Sequence, residues 1–214
     1  MTKDSFNAFL VKNASFTPVE EYPVIRNEMV PTSYPKEIMP FDKAICFRGD
    51  LSDVFVCTYC PDETFERVRR NPRKYLSFFK RTAGIIGFDF SIHSDMNLVK
   101  QKSQMNDNRS LTYFYGNNGI PVIPNIRCGE DSTFDDFSKA IPQNSIVSIG
   151  THGFIKTRQE RNEWYCFIED ILNTIHPSAV IVYGPINGEL FDDFKSVVPF
   201  VQYDPWITKR RRGG

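Results

Sequence analysis

From about residue 43 the sequence settles into a rhythm. Short apolar runs rich in β-branched residues alternate with longer amphipathic stretches. The apolar runs predict strands over Ala44–Phe47, Val54–Tyr59, Gly84–Phe88, Ile120–Ile126, Ser145–Ile149, Ala179–Tyr183 and Pro199–Tyr203. Between them, helical periodicity predicts helices over 62–68 and 72–81, broken at Asn71-Pro72, then over Met96–Phe114, Thr133–Ala140, Arg158–Ile175 and Glu189–Val197. Strands that are apolar nearly throughout are buried on both faces, which is the mark of a parallel sheet covered by helices. The expected fold is therefore α/β. About six parallel β-α units would form either a small or incomplete barrel or an open doubly wound sheet. No glycine-rich phosphate loop and no G-x-G-x-x-G follow the first strand.

Residues 1–42 break this rhythm. They carry five prolines and little periodicity, and they read as an extended arm on the domain surface, anchored by Phe6, Phe9, Leu10 and Phe16. The reading is one α/β domain over 43–207, preceded by the arm and followed by a basic tail over 208–214. With 26 cationic and 26 anionic side chains the chain is formally neutral, so any nucleic-acid contact must come from a local patch. No run of 18 apolar residues predicts a membrane span, and the first residues lack a secretory apolar core. The expected location is the cytoplasm, with the five cysteines as thiols.

Parallel α/β folds bind ligands at the carboxyl ends of their strands. Those ends carry Asp89, then Asn125 and Arg127, then Thr151, His152 and Gly153, then Tyr183 and Gly184, and last Asp204. Asp89 and His152 are the candidate catalytic pair. Asn125, Arg127, Thr151, Gly153, Tyr183 and Gly184 are the candidate substrate contacts. Glycines around Thr151-His152 would let the backbone turn sharply beside a ligand. Plainer roles compete: His152 as a loop cap, Asp89 as a cap or the ion-pair partner of Arg127, Tyr183 as packing. His93 and Asp95 could join Asp89 and His152 around a metal, but Asp95 is better explained as a helix cap, so no metal is assigned and the cofactor is left open. Cys57-Thr-Tyr-Cys60 has redox or zinc spacing, yet Cys57 falls inside an apolar run and no second C-x-x-C exists, so the pair reads as structural thiols.

The stretch 67–81 holds seven cations and no acid, and Lys209, Arg210, Arg211 and Arg212 follow in the tail. A solvated helix face is the plain reading. A phosphate-contacting patch through Arg69, Arg70, Arg73 and the tail is the sharper one. Tyr75, Leu76, Phe78 and Phe79 in the same stretch read as core rather than as base-stacking residues.

The motifs "ETFERVRRNPRKYLSFFK…GFDFSIHSDM", "NRSLTYFYGNNGIPVIPNIRCGE", "SIVSIGTHGFIK" and "IVYGPI", with "FLVKNASF" and "PFDKA" in the arm, resemble domain-of-unknown-function family 4417. The resemblance covers most of the chain, in order. It implies a phage or mobile-element setting inside a bacterial host cell, and it assigns no reaction. By motif it singles out Asp89, Ser91, Asn108, Arg109, Asn125, Thr151 to Gly153, and Tyr183-Gly184. Two functions compete on this reading. One is an enzyme acting on nucleic acid or a nucleotide-like substrate at the strand ends. The other is a non-catalytic module that binds a host or phage protein, or nucleic acid, for replication, host takeover or counter-defence.

Overall fold

Seven short strands, each buried nearly throughout except the last, form the centre of the computed structural model, which describes residues 4, 7–93, 95–127, 133, 135–151, 157–186 and 191–208. β1 (Glu37–Pro40), β2 (Val54–Cys57), β3 (Gly84–Ile86) and β4 (Val122–Ile123) pair in that order, all parallel. β5 (Ile146–Gly150), β6 (Ala179–Tyr183) and β7 (Phe200–Tyr203) form a second parallel ladder. Among the described residues a single parallel bridge, Asn125 to Ser148, links the two sets; Ile126 N donates to Ser148 O and Ser148 N to Pro124 O, each at 2.8 Å.

Spatial order thus follows chain order, without the reversal that a doubly wound sheet contains. The strands also curl. Four strand intervals separate β2 from β6, roughly 19 Å in a flat sheet, yet the rings of Tyr59 and Tyr183, just past β2 and at the end of β6, stack with centroids 5.1 Å apart. The Tyr203 hydroxyl on β7 donates to the carbonyl of Pro35, just ahead of β1. Among the described residues no ladder joins β7 to β1, so the barrel does not close. Of the two expected architectures, the incomplete barrel fits.

The helices are α1 (Phe41–Ala44), α2 (Asp62–Arg70), α3 (Leu76–Phe79), α4 (Leu98–Asn117) and α5 (Arg158–Ile175). α2 opens on Asp62 and Glu63 and closes on Arg67, Arg69 and Arg70, charges that match the helix dipole at each end. The Asn97 side chain caps α4 by accepting from Lys100 N at 2.9 Å, so the cap lies two residues past Asp95. α5 begins with a reciprocal capping box between Thr157 and Glu160. It ends where His176 turns left-handed, at φ 48°, ahead of Pro177. None of the helices among the described residues is long and apolar enough to cross a membrane.

Several boundaries move. Ala44–Phe47 is not a strand: Ala44 ends α1, and the first strand lies earlier, at Glu37–Pro40, within the stretch read as arm. Of the helix expected over Thr133–Ala140, Thr133 is helical and 135–140 is a run of turns. In the arm, Phe9 meets Phe114 edge-on at 5.4 Å, whereas Phe16 is 46% exposed. The deeper anchors are Tyr22, Ile25 and Met29, all buried. Phe6 lies outside the described residues.

The arm is also tied down by charge. Asp136, nearly buried, accepts from Lys139 at 2.6 Å and Lys102 at 3.2 Å and receives the Tyr22 hydroxyl at 3.3 Å, while Lys139 also reaches Glu20 at 2.7 Å. Burial pushes the Asp136 carboxyl up, but the two lysines outweigh it and hold it below its ordinary value of 3.8. A carboxylate with a depressed folded pKa stabilises the fold above its unfolded pKa and loses that contribution as pH falls through the folded one. Asp136→Asn is expected to cost about 1.5–3 kcal/mol at neutral pH. The gap from wild type should narrow below pH 3.8, as measured by urea unfolding across pH.

Candidate functional site at the strand carboxyl ends

Past the end of β3 the chain leaves the ladder and has no regular structure over 88–91. Its backbone N–H groups need partners, and side chains supply all four. Phe88 N donates to Thr112 Oγ1 (3.2 Å), Asp89 N to Thr58 Oγ1 (2.9 Å), Phe90 N to Asn108 Oδ1 (2.8 Å) and Ser91 N to Asp62 Oδ2 (3.0 Å). Asn108 Nδ2 returns a bond to Phe90 O at 3.2 Å, and Gln104 Nε2 reaches Ser91 O at 3.3 Å. Thr112, Asn108 and Gln104 are spaced four apart, so one face of α4 acts as a polar comb that grips this segment. That explains why a helix buried over most of its length carries so many polar residues.

With its backbone gripped in this way, Asp89 presents its carboxylate to the next strand. Oδ1 accepts from Asn125 Nδ2 at 2.7 Å and Oδ2 from Arg127 at 2.8 Å. The Asp89 and Arg127 side chains are 11% and 18% exposed. Burial drives the Asp89 carboxyl above the usual carboxylate value, with Arg127 and Asn125 pulling against it. Burial also works against the Arg127 charge, but the carboxylate beside it prevails and raises its pKa.

Asn125 is itself fixed. Its Oδ1 accepts from the Tyr59 hydroxyl at 2.7 Å. That donation uses the only Tyr59 proton, so Ser148 Oγ, 2.8 Å away, donates to Tyr59. Burial lifts the Tyr59 pKa well above 10. Tyr59 stacks on Tyr183 at an interplanar angle of 18°, and the Tyr183 hydroxyl accepts from Trp206 N at 3.1 Å. Gly150 makes room for Tyr59: a Cβ there would stand 2.9 Å from ring carbon Cε1. Next to it, buried Thr151 donates through Oγ1 to Pro185 O at 3.0 Å. Gly184 has φ 130°, open to glycine, and donates its N–H to Tyr203 O at 3.0 Å.

The structure therefore gathers Asp89, Asn125 and Arg127 into one cluster and places Thr151, Tyr183 and Gly184 on the neighbouring strand ends, joined to it through Tyr59. Gly150 serves Tyr59 rather than a turn. His152 and Gly153 lie outside the described residues, as do Lys209, Arg210, Arg211 and Arg212. His93 and Asp95 are exposed, and among the described residues no group of three metal-ligating side chains could hold an ion. Cys57 is a buried thiol that burial pushes far up, and Cys60 lies 3.1 Å from Thr64 Oγ1. Arg69 is spent inside the fold, on Glu66, Asp107 and the Phe90 ring, while Arg70 also reaches Glu66 and Arg73 lies 3.9 Å over the Phe9 ring. The sequence reading missed Tyr59, Thr58, Asp62 and Ser148. Of these, Ser148 left a signal, as a lone hydroxyl within an apolar strand.

The cluster is an oriented carboxyl group whose pKa burial raises, with a guanidinium alongside. That is suited to acid–base work next to an anionic group. A family model described as a domain of unknown function (DUF4417) matches residues 18–204. The "Gene 1 protein" of Mycobacterium phage L5 is 24% identical over 154 residues, covering 72% of this chain and 66% of the phage protein. That of Mycobacterium phage D29 is 23% identical over 154 residues, covering 72% of this chain and 56% of the relative. The chain thus spans less than two thirds of the curated relatives it matches. No solved structure matches it.

Proposed function

The chain belongs to the DUF4417 family, whose matched relatives are phage proteins, and from that premise we propose that it is an enzyme acting on nucleic acid or a nucleotide-like substrate at the strand carboxyl ends. In this reading Asp89 exchanges a proton with the substrate, Arg127 contacts an anionic group, and Asn125 orients the carboxylate. Thr151, Gly153, Tyr183 and Gly184 border the substrate, and His152 supplies the second acid–base group.

One observation carries the reading. The Asp89–Arg127 ion pair is largely buried at the end of the strands where such folds bind ligands, on a segment whose four successive backbone N–H groups are held by four separate side chains. Packing alone does not call for charge there, because a buried ion pair is often no more stabilising than apolar residues of the same volume.

The test is a panel of nucleotides and labelled single- and double-stranded oligonucleotides incubated with wild type and with Asp89→Asn, products being resolved by chromatography. Wild type should convert at least one member. Asp89→Asn should keep the fold at a cost of about 3–5 kcal/mol, while its turnover falls by about 100-fold or more. Conversion of no member, or full turnover by a folded Asp89→Asn, would sink the enzyme reading and leave the binding-module alternative, which the exposed basic face of α2 and α3 favours.

A further inference from the structure

We propose that the exposed cations running from α2 through α3 form a binding face for the phosphate backbone of a nucleic acid. The residues are Arg67, Arg70, Arg73, Lys74, Lys80 and Arg81. All six are exposed, within a stretch of 15 residues that contains no acid in a chain that is neutral overall.

The structure sorts this run. Arg69 drops out, its guanidinium being neutralised by Glu66 and Asp107. Arg70 shares Glu66 but stays 78% exposed. Among the described residues the side chains of Arg67, Arg73, Lys80 and Arg81 make no hydrogen bond or ion pair, although Arg81 lies close enough to Asp50 to help lower that carboxyl. Two of the cations are ordered without being neutralised. The Arg67 guanidinium lies 5.2 Å over the Phe41 ring and that of Arg73 lies 3.9 Å over Phe9. A stacked guanidinium has already lost much of its conformational freedom, yet keeps N–H donors in a fork that fits phosphate.

The apolar side chains of the same stretch face the other way. Phe65, Val68, Tyr75 and Phe79 are buried, and Leu76 and Phe78 are half-buried against the core. A membrane surface would need apolar residues left free to insert. An acidic peptide would need pockets or a sheet edge for its side chains. The face presents cations spread over α2, a 3-10 turn at Pro72–Tyr75 and the end of α3, which suits a polymer of regularly repeated charge. This surface shares no residue with the Asp89–Arg127 site, so the two proposals fail independently.

The experiment measures anisotropy of a labelled oligonucleotide, single- and double-stranded, with the full chain across salt concentrations. Wild type should bind, with log K falling linearly in log salt. Arg67→Gln/Arg70→Gln/Arg73→Gln should flatten that slope by about two to three units, still unfold in one cooperative transition, and leave any turnover of free nucleotides unchanged. Substituting Lys209, Arg210, Arg211 and Arg212 by Gln separates the tail, and should leave the triple variant's loss intact. The proposal is overturned if wild type does not bind at low salt, if the folded triple variant keeps the wild-type slope, if the tail substitutions alone abolish binding, or if polyglutamate competes as well as the oligonucleotide at equal charge.

Discussion

Arg109→Met is expected to destabilise the protein by about 3–5 kcal/mol, one of the largest losses for any single side chain of α4. Arg109 is buried, and its guanidinium donates to three backbone carbonyls: Phe137 O at 2.8 Å, Asn125 O at 3.2 Å and Lys139 O at 3.2 Å. Burial pulls its pKa down to about 10, so it remains charged at neutral pH. Methionine has similar length and spares the desolvation of a cation. It also leaves two buried acceptors and one partly buried one without a donor, at about 1–3 kcal/mol for each buried one. The acceptors outweigh the relief. They also belong to two separate pieces of chain, the turns over 135–140 and the end of β4, which Arg109 fastens to α4 and to each other. Urea unfolding with an unchanged m value would measure the loss. A loss under 1 kcal/mol would show that the carbonyls find water instead.

Arg109 also shows where sequence reading stopped. Family resemblance singled out Asn108 and Arg109, but periodicity gave no reason for them: nothing in the spacing of a helix says that a neighbouring chain segment will need its donors and acceptors. The strands were legible because burial on both faces leaves a continuous apolar run, as in Val54–Cys57 and Ala179–Tyr183. Some runs join the ladder whole, as Ala179–Tyr183 does, and others only in part. β4 reduces to Val122–Ile123, and past it the backbone at Pro124 and Ile126 pairs with Ser148 of β5 through a lone bridge. β1 escaped because Glu37–Pro40 contains a proline at its end and sits among other prolines, a local pattern that reads as coil. Its pairing with β2 is decided by the fold and not by the segment.

At the site, the rule that polar residues at strand ends converge picked out Asp89, Asn125 and Arg127, and the pairing of Asp89 with Arg127 had been one of the alternatives for that carboxylate. Tyr59 was not legible. It stands inside the C-x-x-C stretch, and its partners Asn125, Ser148 and Tyr183 are 66 to 124 residues away in the chain. Only the curl of the sheet brings them within reach. Gly150 was misread for the same reason: a glycine before Thr151-His152 suggests a turn, whereas its missing side chain accommodates a ring arriving from β2.

Tyr59→Ala should therefore cost about 3–5 kcal/mol. The truncation removes the stack on Tyr183, leaves Asn125 Oδ1 without its donor, and strands the hydroxyl of Ser148, which is fully buried. Tyr59→Phe isolates the hydroxyl part and should cost about 1–3 kcal/mol. Gly150→Ala drives a methyl to 2.9 Å from a ring that cannot step aside, since Asn125, Ser148 and Tyr183 all hold it, and should cost about 1–3 kcal/mol through overpacking. The two sites then couple in a way that independent defects would not. In the Tyr59→Ala background the atom that Gly150→Ala collides with is gone, and the new methyl enters space vacated by the ring. The alanine at 150 should there be close to neutral, so the double variant should unfold at nearly the denaturant concentration of Tyr59→Ala alone. Additive losses in this double-mutant cycle would mean that Gly150 is required for its own backbone and not for Tyr59, and that the ring is not what holds the ends of β2, β4, β5 and β6 together.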